Sequence, residues 1–339
     1  MTTATDIVPP TTPAPRASKS RKRNRETRSA LWLILPTIVL LAIVIGYPIV
    51  TAIIQSFQKD PGLDAATGLF VTGGFAGVAN YAHWLFQQCM SSTGQTIACP
   101  PGNLGAGFWN AAGVTFFFTV VTVILETVIG TWFAIIMNRT FRGRGLVRAA
   151  ILVPWAIPTA VTAKLWYFIF AFAGIANALF HTSILWTSDE WASRFAIIIA
   201  DTWKTTPFMA LLILAGLQLI PEEVYEAARM DGASTFRTFT TITLPLVKPA
   251  LMVAILFRIL DALRMYDLPA ILTGGGGGNG NATTTLSILV IKQVRSGYNS
   301  ASALSTITFI IIFLVAFIFV RVLGTNVVRT QEAQQKGAK

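Results

Sequence analysis

Asp201 and Lys204 stand three residues apart, as do Arg258 and Asp261, inside segments otherwise apolar enough to cross a membrane. That spacing puts each pair on one face of a helix. Glu126, Lys164, Arg264 and Asp267 are the other charges in or beside such segments, the last two close enough to an interface to be plain surface groups. A charge at bilayer depth costs roughly 2.5–3.5 kcal/mol on insertion scales, so it faces a cavity or another charge. Two roles fit: hydrogen bonding to the hydroxyls of a polar solute in transit, or ion pairing within the protein and against another membrane subunit. Asp201, Lys204, Arg258 and Asp261 are the candidates for lining a pathway. Trp166 and Phe208 offer ring faces for stacking on a solute, or for core and lipid contact. Carboxylates at this depth also suit a proton relay in an ion-gradient-driven secondary transporter. An intramembrane enzyme using Glu126 or Asp201 as acid or base lacks a paired motif at convincing spacing.

Other chemistries find little support. The only histidines are His83 and His181, and neither a Cys-x-x-Cys nor a His cluster suggests a metal site. Cys89 and Cys99 lie ten apart in a Gly/Ser/Pro-rich loop, too few for a disulfide scaffold. A single bridge, if the loop faces an oxidising space, and a pair of inert thiols are both open to them. No G-x-x-x-x-G-K-[ST] occurs, and the five glycines from Gly274 to Gly278 run into Asn-Gly-Asn-Ala-Thr without a lysine. That run reads as a flexible outer loop. Gly130 and Gly143 read as packing or loop positions.

These residues need a membrane frame. Of 339 residues 53% are hydrophobic and 12% charged, against about 25% charged in soluble domains. The chain is therefore expected to be an all-α polytopic membrane protein. A span takes about 20 mainly apolar residues. Six stretches qualify, near 30–55, 108–137, 147–173, 192–219, 247–272 and 302–324. No alternating ten-residue strand pattern points to a β-barrel. Pro154 and Pro158 in the third stretch and Pro207 in the fourth are expected to kink their helices. Residues 1–29 combine four prolines with a basic run and read as a disordered basic tail, and 325–339 as a second tail. The first apolar run exceeds a signal h-region of roughly 7–15 residues and reads as a retained anchor.

Basic residues orient the spans, because cytoplasmic segments carry an excess of lysine and arginine. Eighteen fall on one side: seven in the first tail, Arg139, Arg142, Arg144 and Arg148 after the second span, Arg229, Arg237 and Lys248 in the central segment, and four near the end. Only Lys59, Arg194, Lys292 and Arg295 fall on the other. Both termini are thus expected in the cytoplasm, in a cytoplasmic (inner) membrane. The net charge of +11 is accounted for by topology, and nucleic-acid binding finds no support.

Between the fourth and fifth spans, residues 220–246 carry "EAARMDGASTFRTFTTITLP". Pro221 suits a first helical position, with Glu222 and Glu223 where the helix dipole favours acids. Gly232 suits a C-cap, and Ser234 or Thr235 can cap a second short helix bearing Phe236 and Phe239, which Pro245 is expected to close before Pro249 opens the next span. A bare loop needs only a handful of residues, so a structured segment of about 27 points to a docking surface. A helical connector lying in the lipid interface is the plainer alternative.

Glu226, Ala227, Ala228, Asp231, Gly232, Ala233, Phe239, Ile242, Leu244, Pro245 and Pro249 stand in the register of the EAA loop of binding-protein-dependent ABC importer permeases, which the chain resembles. More widely, "LPTIVLLAIVIGYP" at 35–48 and "TGGGGGNGNATTTL" at 273–286 are similar to the MalF-like half of the carbohydrate permeases, most of all its trehalose permeases. The resemblance covers roughly 30–324. Relatives often have Gly-Gly-Pro where this chain has Gly274 to Gly278. It implies a type I ABC importer permease fold, with the EAA segment as a coupling helix seated on a cytoplasmic ATPase. It implies import of a sugar, a disaccharide such as trehalose, with a second homologous permease, a dimer of ATPase subunits binding ATP and Mg, and an extracytoplasmic sugar-binding (lipo)protein as partners. This chain would then hold no cofactor and be no enzyme itself. Glu226 would give a charged contact to the ATPase and Gly232 the turn. Beside what the resemblance implies, Phe236 and Phe239 suit apolar knobs, Ala227, Ala228 and Gly232 leave room for close approach by another backbone, and Asp231 completes the set expected to couple to the ATPase.

Overall fold

The computed structural model describes residues 32–63, 68–91, 93, 95–278 and 280–321. The expected tails at 1–29 and 325–339 lie outside the described residues. The chain divides into two compact units, 1–52 and 53–339.

In the first unit the described residues are helical throughout and belong to helix α1, Trp32–Ser56. Its apolar side chains are exposed on all faces, as in a membrane span. One π turn, Ala42–Gly46, interrupts it, with the Tyr47 N–H donating to the Ala42 carbonyl. Pro48 follows two residues later.

The second unit is built on helices. After three two-stranded antiparallel pairings between 58 and 98, one of them nested inside another, and the short helix α2, Ala79–Leu85, come α3 (Phe108–Asn138), α4 (Arg144–Ala156), α5 (Thr159–Phe170), α6 (Ile175–Phe180) and α7 (Glu190–Leu217). Then follow α8 (Glu222–Met230), α9 (Thr235–Thr238), α10 (Leu244–Ala262), α11 (Asp267–Leu272), α12 (Leu286–Val294) and α13 (Tyr298–Phe319). Five helices are long and apolar enough to span a membrane, and the bent pair α4–α5 supplies a sixth if read as one span.

The third expected span, 147–173, is therefore not straight. Its two halves meet at 94°. Ile157, preceding Pro158, is extended at φ −77° and ψ 132°, because the proline ring disfavours helical backbone in the residue before it. Pro154 and Pro207 lie inside continuous helices. The fifth span departs from 247–272 at both ends. Pro245 does not close a short helix: Thr235–Ala262 is one helix, running through a π turn, Phe239–Thr243, in which the Leu244 N–H donates to the Phe239 carbonyl. Pro245 again follows the π turn by two residues, as Pro48 does in α1. At the far end the helix stops at Ala262, and α11 is a separate piece.

Helices α3 and α7 pack in parallel, Glu126 level with Thr205 and Gly130 level with Met209. A Cβ on Gly130 would lie 2.9 Å from the Met209 Cβ, so this glycine sets how closely the two helices approach. One apolar cluster gathers Val114, Phe118, Ala163, Ala196, Ile197 and Leu268. A second, nearer the elbow, gathers Ala134, Met137, Met209, Ile213, Val247 and Leu251. Trp84, Phe108, Leu286 and Leu304 anchor a third, at the opposite end of α3. There the Asp60 carboxylate accepts from the backbone N–H groups of Asn299 (2.6 Å) and Ser300 (3.0 Å) and so caps α13.

The glycine run is not a loose loop. Thr283, Thr284 and Thr285 are buried. The Thr283 N–H donates to the Gly276 carbonyl at 2.8 Å, Thr284 Oγ1 to Gly275 at 2.7 Å and Thr285 Oγ1 to Met265 at 2.8 Å. Arg194 and Asn110 donate to the carbonyls of Ala282 and Asn281, fastening the loop to α7 and α3. Glycine is needed because the loop is tightly packed: at Gly277 φ is +62° and a Cβ would lie 2.6 Å from Ser193 Oγ. Gly277→Ala is expected to cost about 1–3 kcal/mol, seen as a lower unfolding midpoint in detergent. Ser193→Ala in the same chain should recover part of the loss.

Candidate functional site

The elbow between α7 and α10 starts with α8. Pro221 sits at its N-cap, one residue earlier than its sequence signal, with Glu222 and Glu223 in the first turn. Gly232, at φ +72°, closes the helix. The Ala233 N–H reaches the Ala228 carbonyl at 3.0 Å and the Gly232 N–H that of Arg229 at 3.1 Å, satisfying the last carbonyls. Ser234 Oγ accepts from the Arg237 N–H at 3.3 Å and starts the helix that becomes the fifth span. Thr243 Oγ1 reaches the Tyr225 hydroxyl at 3.4 Å, tying α8 to the base of that span.

Glu226, Ala227, Asp231 and Gly232 are exposed, Ala228 is buried and Phe239 half-buried. Phe236 is 77% and Met230 89% exposed. Neither Glu226 nor Asp231 makes an ion pair with a described residue. Large apolar groups standing out beside unpaired charges form a surface suited to a partner.

Arg258, on α10 some four turns beyond Thr243, ends in a buried ionic node. It is 1% exposed. Its Nε and Nη2 donate to the two oxygens of Glu126 on α3, the latter at 3.0 Å, and Nη2 also reaches Asp201 on α7. Nη1 meets Asp261 at 2.9 Å. Thr205 Oγ1 donates to Glu126 Oε1 at 2.5 Å. Glu126 is fully buried and Asp201 nearly so, whereas 66% of the Asp261 side chain is exposed. Three helices thus share one guanidinium, which meets three carboxylates.

Of the four pathway candidates, Asp201, Arg258 and Asp261 meet here. Lys204 is half-buried and stands outside the node's hydrogen bonds. The three-residue spacing did place Arg258 and Asp261 together. Glu126 had no local partner to mark it: its guanidinium is 132 residues away. Trp166 stacks on Phe170 and meets Trp203 edge-on, and Phe208 stacks on Trp155. Arg264 is exposed and bonds the Leu260 carbonyl, while Lys164 lies over the Tyr167 ring.

Cys89 and Cys99 are joined by a disulfide across the hairpin Gln88–Met90/Thr96–Ala98. His83 Nδ1 stands 3.8 and 3.9 Å from the two sulfurs and bonds the Gln88 carbonyl at 2.7 Å. Bridged sulfurs are not the thiolates that a metal takes.

Residues 126–329 match the family model described as "Binding-protein-dependent transport system inner membrane component". The chain is 37% identical over 309 residues to the trehalose/maltose transport system permease protein MalF of Thermococcus litoralis, covering 89% of this chain and 96% of that protein. It is likewise 37% identical over 311 residues to the trehalose transport system permease protein SugA of Mycobacterium tuberculosis, covering 91% of this chain and 92% of that one. A crystal structure of a bacterial ABC transporter involved in alginate import contains a chain of the same fold, at TM-score 0.70 and 18% identity, with 91% of this chain and 99% of that one aligned. With its spans, its elbow and these relatives in register, the chain belongs to the family of inner-membrane components of binding-protein-dependent transport systems.

Proposed function

We propose that this chain is the permease subunit of an ATP-driven importer for a sugar, a disaccharide such as trehalose. It forms half of the translocation pathway beside a second permease. An extracytoplasmic sugar-binding protein delivers the solute, and a dimer of ATPase subunits, holding ATP and Mg, works on the elbow from the cytoplasm, where both termini also lie. Closure of the ATPases pushes α8, and the push enters the membrane along Thr235–Ala262. At Arg258 it meets α3 and α7, so three helices move together. Asp201, Lys204, Arg258 and Asp261 lie along the pathway, with the exposed Asp261 the first of them to meet sugar hydroxyls.

The observation that carries this reading is the elbow, where Glu226, Asp231 and Phe236 stand exposed and unpartnered on a segment continuous with a span. The trehalose and trehalose/maltose systems named for two relatives support the sugar class. Gentle detergent extraction of the tagged chain tests it. A Walker-motif protein should co-purify, and the isolated assembly should take up labelled trehalose only with ATP. A solitary chain that still transports would overturn the reading in favour of a gradient-driven carrier.

A further inference from the structure

A groove of about 610 Å³ opens between α3, α4 and α7, walled by side chains such as Ile129, Phe133, Val147, Ile151, Pro154 and Trp203. Its α4 wall, Val147 to Pro154, belongs to the first half of the broken third span, which meets the second half at 94°. Arg139 and Arg142 lie in the α3–α4 turn, Arg144 opens α4 one helical turn before Val147, and Arg148 follows Val147 in the same helix. Arg148 is committed to the chain itself, donating Nε and Nη2 to the Met137 carbonyl at 3.1 and 2.6 Å, and so pins the turn to the end of α3. Arg139 and Arg142 are exposed and Arg144 half-buried, and none of the three pairs with a described carboxylate. From Glu126 to Asp189 the sequence contains no acidic residue in between.

The excess of basic residues on one membrane face explains why these arginines lie on the elbow's side. It does not explain why an unpaired Arg144 stands one helical turn before Val147 on the wall of an apolar groove, with Arg142 and Arg139 unpaired in the turn that leads to it. A ligand satisfying both features has a hydrocarbon chain joined to an anionic head, and basic pockets between spans recognise such lipids. We propose that the groove and the arginine turn together bind an anionic phospholipid, one acyl chain lying against Ile129, Ile151 and Pro154 and the phosphate on Arg142 and Arg144. The lipid would brace the broken span against α3 and α7, whatever solute the protein carries.

The intact chain, with the subunits that accompany it, is reconstituted in phosphatidylcholine nanodiscs doped with phosphatidylglycerol, and retained lipid is read by native mass spectrometry. Phosphatidylglycerol should be retained in preference, and Arg142→Gln with Arg144→Gln should lower that preference by roughly tenfold. Ala150→Trp, on the groove wall, should abolish retention with the arginines in place. Equal retention of the two lipids, or a preference that survives the double arginine variant, overturns the proposal. A photo-crosslinker at Ala150 should label lipid, and its attachment to a second protein chain would assign the groove to a partner helix instead.

Discussion

Arg258→Met is expected to be the most damaging single substitution in the membrane region. It leaves Glu126, fully buried, and Asp201, nearly so, without their cation. Removing one partner of a buried pair costs about 3–5 kcal/mol, a large part of the stability of most proteins. The variant should fail to accumulate in membranes, or melt well below the wild type in fluorescence-detected size exclusion. Adding Glu126→Gln and Asp201→Asn should restore part of the accumulation, since it neutralises the two buried carboxylates left without a counter-charge, and an uncompensated buried charge is what makes breaking such a pair costly. The rescued protein then separates two roles. If the node only holds the helices together, uptake returns with the protein; if it transmits movement from the elbow, the protein returns without uptake. An Arg258→Met chain that accumulates and melts normally would remove the node from any account of this fold.

Glu226→Ala is expected to abolish uptake while leaving insertion intact. Glu226 is exposed in the free chain, so the loss comes on docking, where truncating one desolvated charge contact costs about 2–5 kcal/mol. That is roughly 30-fold or more in affinity. Gly232 offers a companion test. A Cβ there meets nothing within 4 Å, and the penalty is its φ of +72°. Asparagine and aspartate both tolerate left-handed backbone better than other residues, so Gly232→Asn should retain most uptake. Gly232→Asp adds a second carboxylate beside Asp231 and should lose it, together with the co-purifying ATPase. Equal behaviour of the two variants would show that backbone strain, not the docking surface, governs the position.

The two prolines that follow π turns show where reading by local rules stopped. Pro245 reads as a helix terminator because a proline ordinarily meets the carbonyl four residues back. Here the turn before it is π, the bonding shifts by one residue, and the helix continues from the elbow to Ala262. That continuity links α8 mechanically to Arg258. Pro158 does break its helix, as its type suggests, but the 94° between the halves could not be read from the proline alone. Five adjacent glycines read as flexibility. Positive φ angles at four of the five and the buried threonines that follow make them a close-fitting joint between α3, α7 and α11.

What the sequence determined by itself was whatever depends on neighbours along the chain. Span number follows from twenty-residue apolar runs, the elbow's caps from Gly232 and Ser234, and the Arg258–Asp261 pairing from a three-residue spacing. The tertiary structure alone decided what depends on residues far apart in the chain. Glu126 joins the Arg258 node only when α3 and α7 lie parallel at the distance Gly130 permits, and the arginines from 139 to 144 acquire a neighbouring groove only where α3, α4 and α7 come together. Helical periodicity and solvation act within a few residues, whereas ion pairing and close packing at bilayer depth act through space between segments whose order along the chain carries no trace of their contact.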